Sequence, residues 1–272
     1  MQAPKIALSS RYSRAADELL AFVREHDLDG IEYNIWAEDV AALEEEKPTM
    51  RVLAASGVEI RYHLQFRKVE LAHRDRDFAA ASAVYLKECL DFLHEIGGKS
   101  IIMHLCLGYR REPEMMHLAH AVEFLADVTA HARGLGMEIC LENLTFGLVN
   151  TPEAFRHILE QTGASATIDI GHAAASPCVL NGEISAPEYI RAVGPWLRSA
   201  HIYDIELPDP VSGKFLHHAP RDRACFEDRI RTLADTDCDW WLIELGDPEE
   251  ILRTARFLRE ILAEAAQNRT GV

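Results

Sequence analysis

Eight short apolar segments alternate with helical segments along the chain, and this alternation limits the possible folds more than any other feature of the sequence. A strict strand-then-helix order favours a parallel sheet covered by its crossover helices, and eight such units are the number that closes a (β/α)₈ barrel. The chain has 272 residues, a usual length for such a barrel. The sequence therefore predicts an α/β fold in which residues 1–272 form a single (β/α)₈ TIM-barrel domain.

The competing arrangement is an open doubly wound sheet, which binds dinucleotides through a glycine-rich turn after its first strand. No GxGxxG motif follows the first predicted strand, so the barrel is favoured. The predicted strands span residues 5–8, 31–35, 58–63, 100–104, 137–141, 166–168, 197–200 and 240–243. The predicted helices span residues 14–26, 38–56 in two pieces interrupted at Pro48, 77–96, 113–134, 150–163, 187–193, 225–236 and 248–266.

Side chains of the types that bind metals stand at the ends of the last six predicted strands. They are His63, His104, Glu142, Asp169, His201 and Glu244. Because the carboxyl ends of barrel strands meet at one rim, we expect these side chains to converge. Several acids at one rim would repel one another unless cations compensated their charge. A mixed set of histidines and carboxylates suits a divalent ion, Zn²⁺, Mn²⁺, Co²⁺, Fe²⁺ or Mg²⁺, without choosing among them.

The segment from Asp169 to His172 brings a further histidine to the same place. Gly171 predicts a sharp turn after the sixth strand, which would return His172 toward Asp169. The alternative for Asp169, taken alone, is that it caps a following helix. Two adjacent histidines, His217 and His218, lie in the long loop after the seventh strand, where they could bend back over the barrel mouth.

The net charge of −16 argues against a broad nucleic-acid or anionic-membrane surface, because such binding depends on clustered lysine and arginine. It does not exclude a small anionic substrate held locally. The six cysteines occur singly and without CxxC pairs, which favours reduced thiols and a cytoplasmic protein. No apolar run has the length of a membrane span, so we expect no membrane association, and the sequence leaves a homo-oligomer open.

Four of these strand ends resemble motifs of the xylose-isomerase-like barrels, which include sugar isomerases and epimerases and the apurinic-site endonucleases. The motifs are Glu142 in Cys-Leu-Glu-Asn, the Asp169-Ile-Gly-His172 turn, His201 in Ala-His-Ile-Tyr-Asp and Glu244 in Leu-Ile-Glu-Leu. The resemblance extends over nearly the whole chain. It implies a shared metal site made of Glu142, Asp169, His201 and Glu244.

The same resemblance implies further roles. His172 is similar to a substrate-binding histidine of the epimerases and to a ligand of an additional zinc in the endonucleases. His63 and His104 are similar to the endonuclease residues that join Glu142 around a second metal. However, the endonucleases carry Asp-x-His before a Gly-Glu-Gly loop, whereas residues 215–223 here read Phe-Leu-His-His-Ala-Pro-Arg-Asp-Arg. The aspartate and the glycines are missing, so a complete three-metal endonuclease site is not expected.

These observations predict a metal-dependent isomerase or epimerase for a sugar, sugar phosphate, cyclitol or keto acid. A divalent ion would polarise a carbonyl, and Glu142 and Glu244 would transfer protons at the adjacent carbon through an enediolate. The predicted substrate contacts are His172, His217, His218, Asn143 and Tyr203, and other wall candidates are Glu32, Asn34, Trp36 and Tyr109. The alternatives are a dehydratase on the same site, an endonuclease-like phosphodiesterase, and a binding protein without metal. The expected partner is a small carbohydrate-like molecule, and nucleic acid is not expected.

Overall fold

The eight predicted strands close into one parallel barrel in the computed structural model, which describes residues 3–36, 40–66 and 68–270. The barrel strands are Lys5–Ser9 (β1), Gly30–Ile35 (β2), Glu59–Leu64 (β3), Ser100–Met103 (β4), Glu138–Glu142 (β5), Ser165–Asp169 (β6), Leu197–Ile202 (β7) and Trp240–Ile243 (β10). Their order around the barrel is β1-β10-β7-β6-β5-β4-β3-β2, and each neighbouring pair is parallel. All eight carboxyl ends therefore open onto one rim.

Helices connect these strands and cover the outside of the barrel. They are Ala16–Glu25 (α1), Val40–Ala54 (α2), Arg76–Glu95 (α3), Leu118–Gly134 (α4), Pro152–Thr162 (α5), Ile170–Ala175 (α6), Pro177–Leu180 (α7), Ala186–Val193 (α8), Glu227–Ala234 (α9) and Pro248–Thr270 (α10). Thr151 caps α5, because its hydroxyl accepts a hydrogen bond from the amide of Ala154 at 3.3 Å. Gly163 ends the same helix in the left-handed conformation, with a φ of 69°.

The predicted break at Pro48 does not occur. The helix α2 continues through this residue, although proline removes one backbone donor from a helix. Leu43, Met50 and Leu53 on either side of it are buried against the barrel, and this packing outweighs the lost hydrogen bond. The predicted start of this helix, residues 38–39, lies outside the described residues.

A two-stranded hairpin interrupts the long segment between β7 and α9, where the sequence predicted only a loop. Its strands are Ile205–Pro208 (β8) and Phe215–His218 (β9), which pair antiparallel with Glu206 opposite His217. The side chain of Asp209 orders the connection between them by accepting hydrogen bonds from the amides of Val211 and Ser212. This hairpin lies at the carboxyl rim of the barrel. None of the described helices is long and apolar enough to cross a membrane.

The amino end of the barrel is filled by Trp240, which is fully buried. Gly30 makes room for it, because a Cβ added there would lie 2.5 Å from an indole carbon of Trp240 and 2.7 Å from the carbonyl oxygen of Glu59. Arg61 packs over the same indole, with its guanidinium carbon 4.3 Å from the ring centroid. A side chain larger than hydrogen at position 30 would therefore force backbone and indole apart.

We predict that Gly30→Ala lowers the free energy of unfolding by about 1–3 kcal/mol through overpacking, which corresponds to roughly 2–12 °C in melting temperature. Gly134→Ala is the matched control, since a Cβ at this helical position meets nothing within 4 Å. Thermal denaturation followed by circular dichroism measures both variants. Equal melting temperatures for Gly30→Ala and the wild type would contradict the packing described here.

Candidate metal centre

Four predicted ligands meet at the carboxyl rim. Glu142 and Asp169 end β5 and β6, His201 lies in β7, and Glu244 directly follows β10. Each contributes one ligand atom, and these atoms all lie within 4.8 Å of one another. No more than 1% of any of these residues is exposed, so the cluster is a buried group of three carboxylates and one imidazole.

The polar atoms of this cluster do not satisfy one another. The Nδ1 atom of His201 lies 3.2 Å from Glu142 Oε2 and 3.2 Å from Glu244 Oε2, and it can serve only one of them. Neither His201 Nδ1 nor Glu142 Oε2 has a well-directed hydrogen bond to any described residue. Because buried polar atoms are nearly always paired, this arrangement fits a cation at the centre of the four side chains.

A second group shares Glu142. His63 Nε2 lies 3.3 Å and His104 Nε2 lies 3.1 Å from the same Oε2 atom of Glu142, and the ligand atoms of this trio also lie within 4.8 Å of one another. The prediction that His63 and His104 stand beside Glu142 therefore agrees with the geometry. Two histidines and a carboxylate match the ligand types of a zinc-like ion.

A third group contains Asp169, His172 and His217, again with ligand atoms within 4.8 Å. The Nδ1 atom of His172 lies 2.9 Å from the carbonyl oxygen of Asn143, and the Nδ1 atom of His217 lies 3.1 Å from the carbonyl oxygen of Glu244. A carbonyl can only accept, so each Nδ1 carries the hydrogen. The Nε2 atom of His217 is then available as an acceptor or a ligand, whereas the Nε2 atom of His172 lies 3.6 Å from Oε1 of Glu206.

Three of the predicted substrate contacts lie elsewhere. Asn143 is buried, and its side-chain amide accepts from the backbone amide of Asp169 at 2.7 Å and donates to its carbonyl at 3.1 Å. The hydroxyl of Tyr203 donates to Asp169 Oδ2 at 2.9 Å. Both side chains therefore hold Asp169 in place. His218 is exposed on the hairpin, because adjacent residues of a strand point to opposite faces and His217 takes the inner one.

The turn predicted at Gly171 is wrong. Asp169 caps the short helix α6, with Oδ1 accepting from the amide of His172 at 2.7 Å, and Gly171 lies inside this helix. The glycine is needed for a different reason: a Cβ there would lie 2.1 Å from the ring of Tyr203. Asp169 thus combines the two roles that the sequence offered as alternatives, one oxygen for the cap and the other for the centre.

Glu32 supports the centre from inside the barrel. It is fully buried, with Oε1 2.9 Å from His201 Nε2 and 3.2 Å from His63 Nδ1, while Oε2 accepts from the indole of Trp240 at 3.3 Å. The contact with His201 is poorly aligned for a hydrogen bond but close enough for an ion pair. The sequence predicts Glu32 only as a wall residue of the cavity. The sequence does contain a signal for the supporting role, because an acid inside an otherwise apolar strand is rarely buried without a partner.

The carboxyl groups of the centre differ in the direction in which their pKa values are shifted. Burial alone would raise the pKa of Glu142, but the neighbouring imidazoles of His201 and His104 outweigh it and hold the pKa well below its usual range. The pKa of Glu244 is lowered in the same way against burial, by Arg11, His217 and His201. Burial is the main reason that the pKa of Asp169 is raised to about 7. The two glutamates are therefore ionised at neutral pH.

A cavity of about 550 Å³ lies above this centre. Glu142 and Glu244 form part of its floor, and the hairpin of β8 and β9 forms its roof. Its lining residues are Arg11, Trp36, Gln65, His104, Leu107, Arg110, Arg111, Glu142, Leu144, Phe146, His172, Glu206, Gly213, Lys214, Phe215, His217 and Glu244. Another cavity, of about 490 Å³, lies at the amino ends of β3 and β4, and none of the predicted ligands is among its lining residues.

Several cavity residues were not found by sequence reasoning. Arg11 donates from Nε to Glu244 Oε1 at 2.9 Å. Glu206 on the hairpin lies 3.6 Å from His172 Nε2 and accepts from Arg110 at 2.8 Å. Arg11 and Arg110 belong to loops, and Glu206 belongs to the unpredicted hairpin. The periodicity of the strands carries no information about such residues.

Comparison with known proteins places the chain among proteins of this architecture. A 141-residue segment, 52% of the chain, is 30% identical to an uncharacterised protein of Methanocaldococcus jannaschii and spans 58% of that protein. The structure of L-ribulose 3-epimerase is similar with a TM-score of 0.72 and 18% identity, covering 99% of this chain and 97% of that one. Endonuclease IV from Thermus thermophilus is similar with a TM-score of 0.66 and 17% identity, covering 96% of this chain and 100% of that one.

At these identities the two solved structures establish the fold alone. The family described as xylose isomerase-like TIM barrel matches residues 20–261, which is most of the chain. The closed parallel barrel and its converging strand ends agree with this match. The chain therefore belongs to the xylose isomerase-like TIM barrel family.

Proposed function

We propose that this protein is a divalent-metal-dependent isomerase or epimerase of a small carbohydrate-like molecule. The observation that carries the proposal is the meeting of two buried, ionised glutamates, Glu142 and Glu244, at the floor of one roofed cavity. The cavity volume of about 550 Å³ lies in the range of small-molecule sites. The likeness of the fold to that of L-ribulose 3-epimerase supports the reaction class.

The residues proposed to hold the metal are Glu142, Asp169, His201 and Glu244. When bound there, a divalent cation would polarise a substrate carbonyl and acidify the adjacent C–H bond. Three carboxylates and one imidazole form an oxygen-rich set that suits Mn²⁺, Co²⁺, Fe²⁺, Zn²⁺ or Mg²⁺. Asn143 and Tyr203 would keep the Asp169 carboxylate in the orientation that the centre requires.

Each glutamate has one oxygen in the ligand cluster and another outside it. Glu142 turns Oε2 toward three histidines and Oε1 toward His172, 3.5 Å away. Glu244 turns Oε2 toward His201 and Oε1 toward Arg11. Because the two residues come from strands separated by β6 and β7, they approach the cavity from different sides. One would remove a proton from carbon and the other would return it on the opposite face.

A second candidate is a phosphodiesterase of the endonuclease type. The ligand groups around His63 and His104 and around His172 and His217 favour it, since such chemistry uses several metals. The roofing hairpin opposes it, because an extended nucleic acid would have to displace that hairpin. Residues 215–223 also lack the aspartate and the glycines of the endonuclease motif that they resemble. The isomerase or epimerase therefore remains the better-supported function.

We predict that Glu142→Gln and Glu244→Gln each lower turnover by roughly 10²–10⁴-fold with a much smaller change in KM, because the amide keeps the shape and loses the base. Glu138→Gln is the matched control, since Glu138 begins the same strand β5 and lies at the opposite end of the barrel. The measurement is the wash-in of solvent deuterium into a panel of sugars, cyclitols and keto acids.

Exchange in any substrate with concurrent loss of water would identify a dehydratase. If no carbon-bound hydrogen exchanges in any accepted substrate, the proposal fails and the phosphodiesterase takes its place.

A further prediction concerns the metal. Adding Mn²⁺ or Co²⁺ to chelator-treated protein should stabilise the fold, by about 2.7 kcal/mol when the free ion is at 100 times its Kd, because the ion binds only the native arrangement of ligands. His201→Asn and Asp169→Asn should lose most of this increase in melting temperature. His131→Asn is the control, since His131 lies on α4 and pairs with Asp91 on the surface. A chelator that strips bound metal from the wild type without shifting its melting curve would contradict the proposed centre.

A further inference from the structure

We propose that the substrate carries a phosphate or carboxylate group, and that Arg111 and Lys214 bind this group at the rim of the cavity. The inference rests on the proposed function for the chemistry at the floor, and it adds the class of substrate. It follows from the distribution of charge in the cavity and from the contacts that fix the two loops bearing these residues.

The cavity reverses the charge balance of the chain. The whole sequence has 44 acidic and 28 basic residues. Among the residues lining the cavity, four are basic and three are acidic, and two of the acids, Glu142 and Glu244, belong to the candidate metal centre. Basic side chains are therefore concentrated here in an otherwise acidic protein. A cavity lined in this way raises the local concentration of anions and guides their approach.

Two of the four basic residues are already neutralised. Arg11 pairs with Glu244 at 2.9 Å. Arg110 pairs with Glu206 at 2.8 Å and also donates to the hydroxyl of Thr145 at 2.8 Å. The guanidinium of Arg110 is in addition stacked 3.5 Å from the ring centroid of Phe215. These contacts fasten the hairpin to the loop after β4, so the task of Arg110 is to hold the roof in place.

Arg111 and Lys214 flank this fastening point. Arg111 follows Arg110 on one loop, and Lys214 precedes Phe215 on the hairpin. Both line the cavity, and neither side chain contacts an acid among the described residues. Two unneutralised cations are thus carried by two loops that the Arg110–Phe215 stack holds together. Cations on loops held in this way would give an oxyanion charge-assisted hydrogen bonds from both sides.

The arrangement divides the cavity into two ends. The floor holds the glutamates and the metal ligands, where the reacting carbon would lie, and the rim holds the free cations. A neutral sugar would leave the rim cations without a partner. A sugar phosphate or a sugar acid would match both ends, with its anionic group at the rim and its carbonyl or hydroxyl groups at the floor.

The test compares neutral sugars with their phosphate esters and with the corresponding uronic acids in the deuterium wash-in assay. We expect kcat/KM for one of the anionic series to exceed that of the neutral series by about 10–100-fold, the effect of one or two charge-assisted hydrogen bonds. The double variant Arg111→Gln/Lys214→Gln should abolish most of this ratio by raising KM for the anionic compounds. The ester and acid series separately show which oxyanion the rim accepts.

Inorganic phosphate provides a measurement that does not depend on turnover. It should raise the melting temperature of metal-loaded wild-type protein and should raise that of the double variant much less. The control is Lys99→Gln/Arg156→Gln, which removes two positive charges away from this cavity and should respond to phosphate like the wild type. Both substituted positions of the test variant are exposed, so the fold should tolerate the change.

The outcomes separate the two proposals. Equal exchange on neutral and anionic sugars would overturn the anion site and leave the isomerase or epimerase standing. Phosphate stabilisation that depends on Arg111 and Lys214, without carbon exchange on any compound, would support the anion site and overturn the proposed reaction. Cleavage of abasic DNA that requires both residues would overturn the small anionic substrate, because the rim would then bind a nucleic-acid backbone.

Discussion

The carboxylate of Glu142 is the group on which the rest of the site depends. One of its oxygens lies 3.1–3.3 Å from a nitrogen of His63, His104 and His201, although only 1% of the residue is exposed. A buried carboxylate is stable only when positive charge or hydrogen bonds compensate it. Parallel strands bring this compensation within reach, because neighbouring strand ends in a barrel are about 4.8 Å apart. The closed barrel therefore makes the charge cluster possible, because it holds the compensating side chains next to Glu142.

Around this cluster, a layer of polar contacts fixes each side chain. Asn143 and Tyr203 hold Asp169, and Glu32 stands behind His201 and His63. Such outer contacts fix the orientation of ligand side chains before an ion binds. These contacts also limit which side chains are possible at positions outside the centre. The close approach of Tyr203 requires glycine at position 171.

The sequence was sufficient to predict the barrel and the meeting of its six strand-end residues, because both follow from periodicity and from where each apolar run stops. Glu142, Asp169, His201 and Glu244 lie together as expected, and His63 and His104 adjoin them. Local details decided by packing were not predictable. Pro48 lies inside a helix that tertiary contacts keep continuous. The sequence predicts a loop where the hairpin that carries Glu206 lies, because strands of four residues leave too short a pattern of alternation.

That hairpin also connects the roof of the cavity to the candidate centre. Phe215 stacks on Arg110, so its position contributes to fastening the roof. Glu206 pairs with His217 across the hairpin and lies 3.6 Å from His172. However, Glu206 is also bound to Arg110, so its charge is shared between the roof contact and the histidine. One side chain thus links the position of the hairpin to the electrostatics of the centre, and closure of the cavity and the charge of its floor cannot change independently.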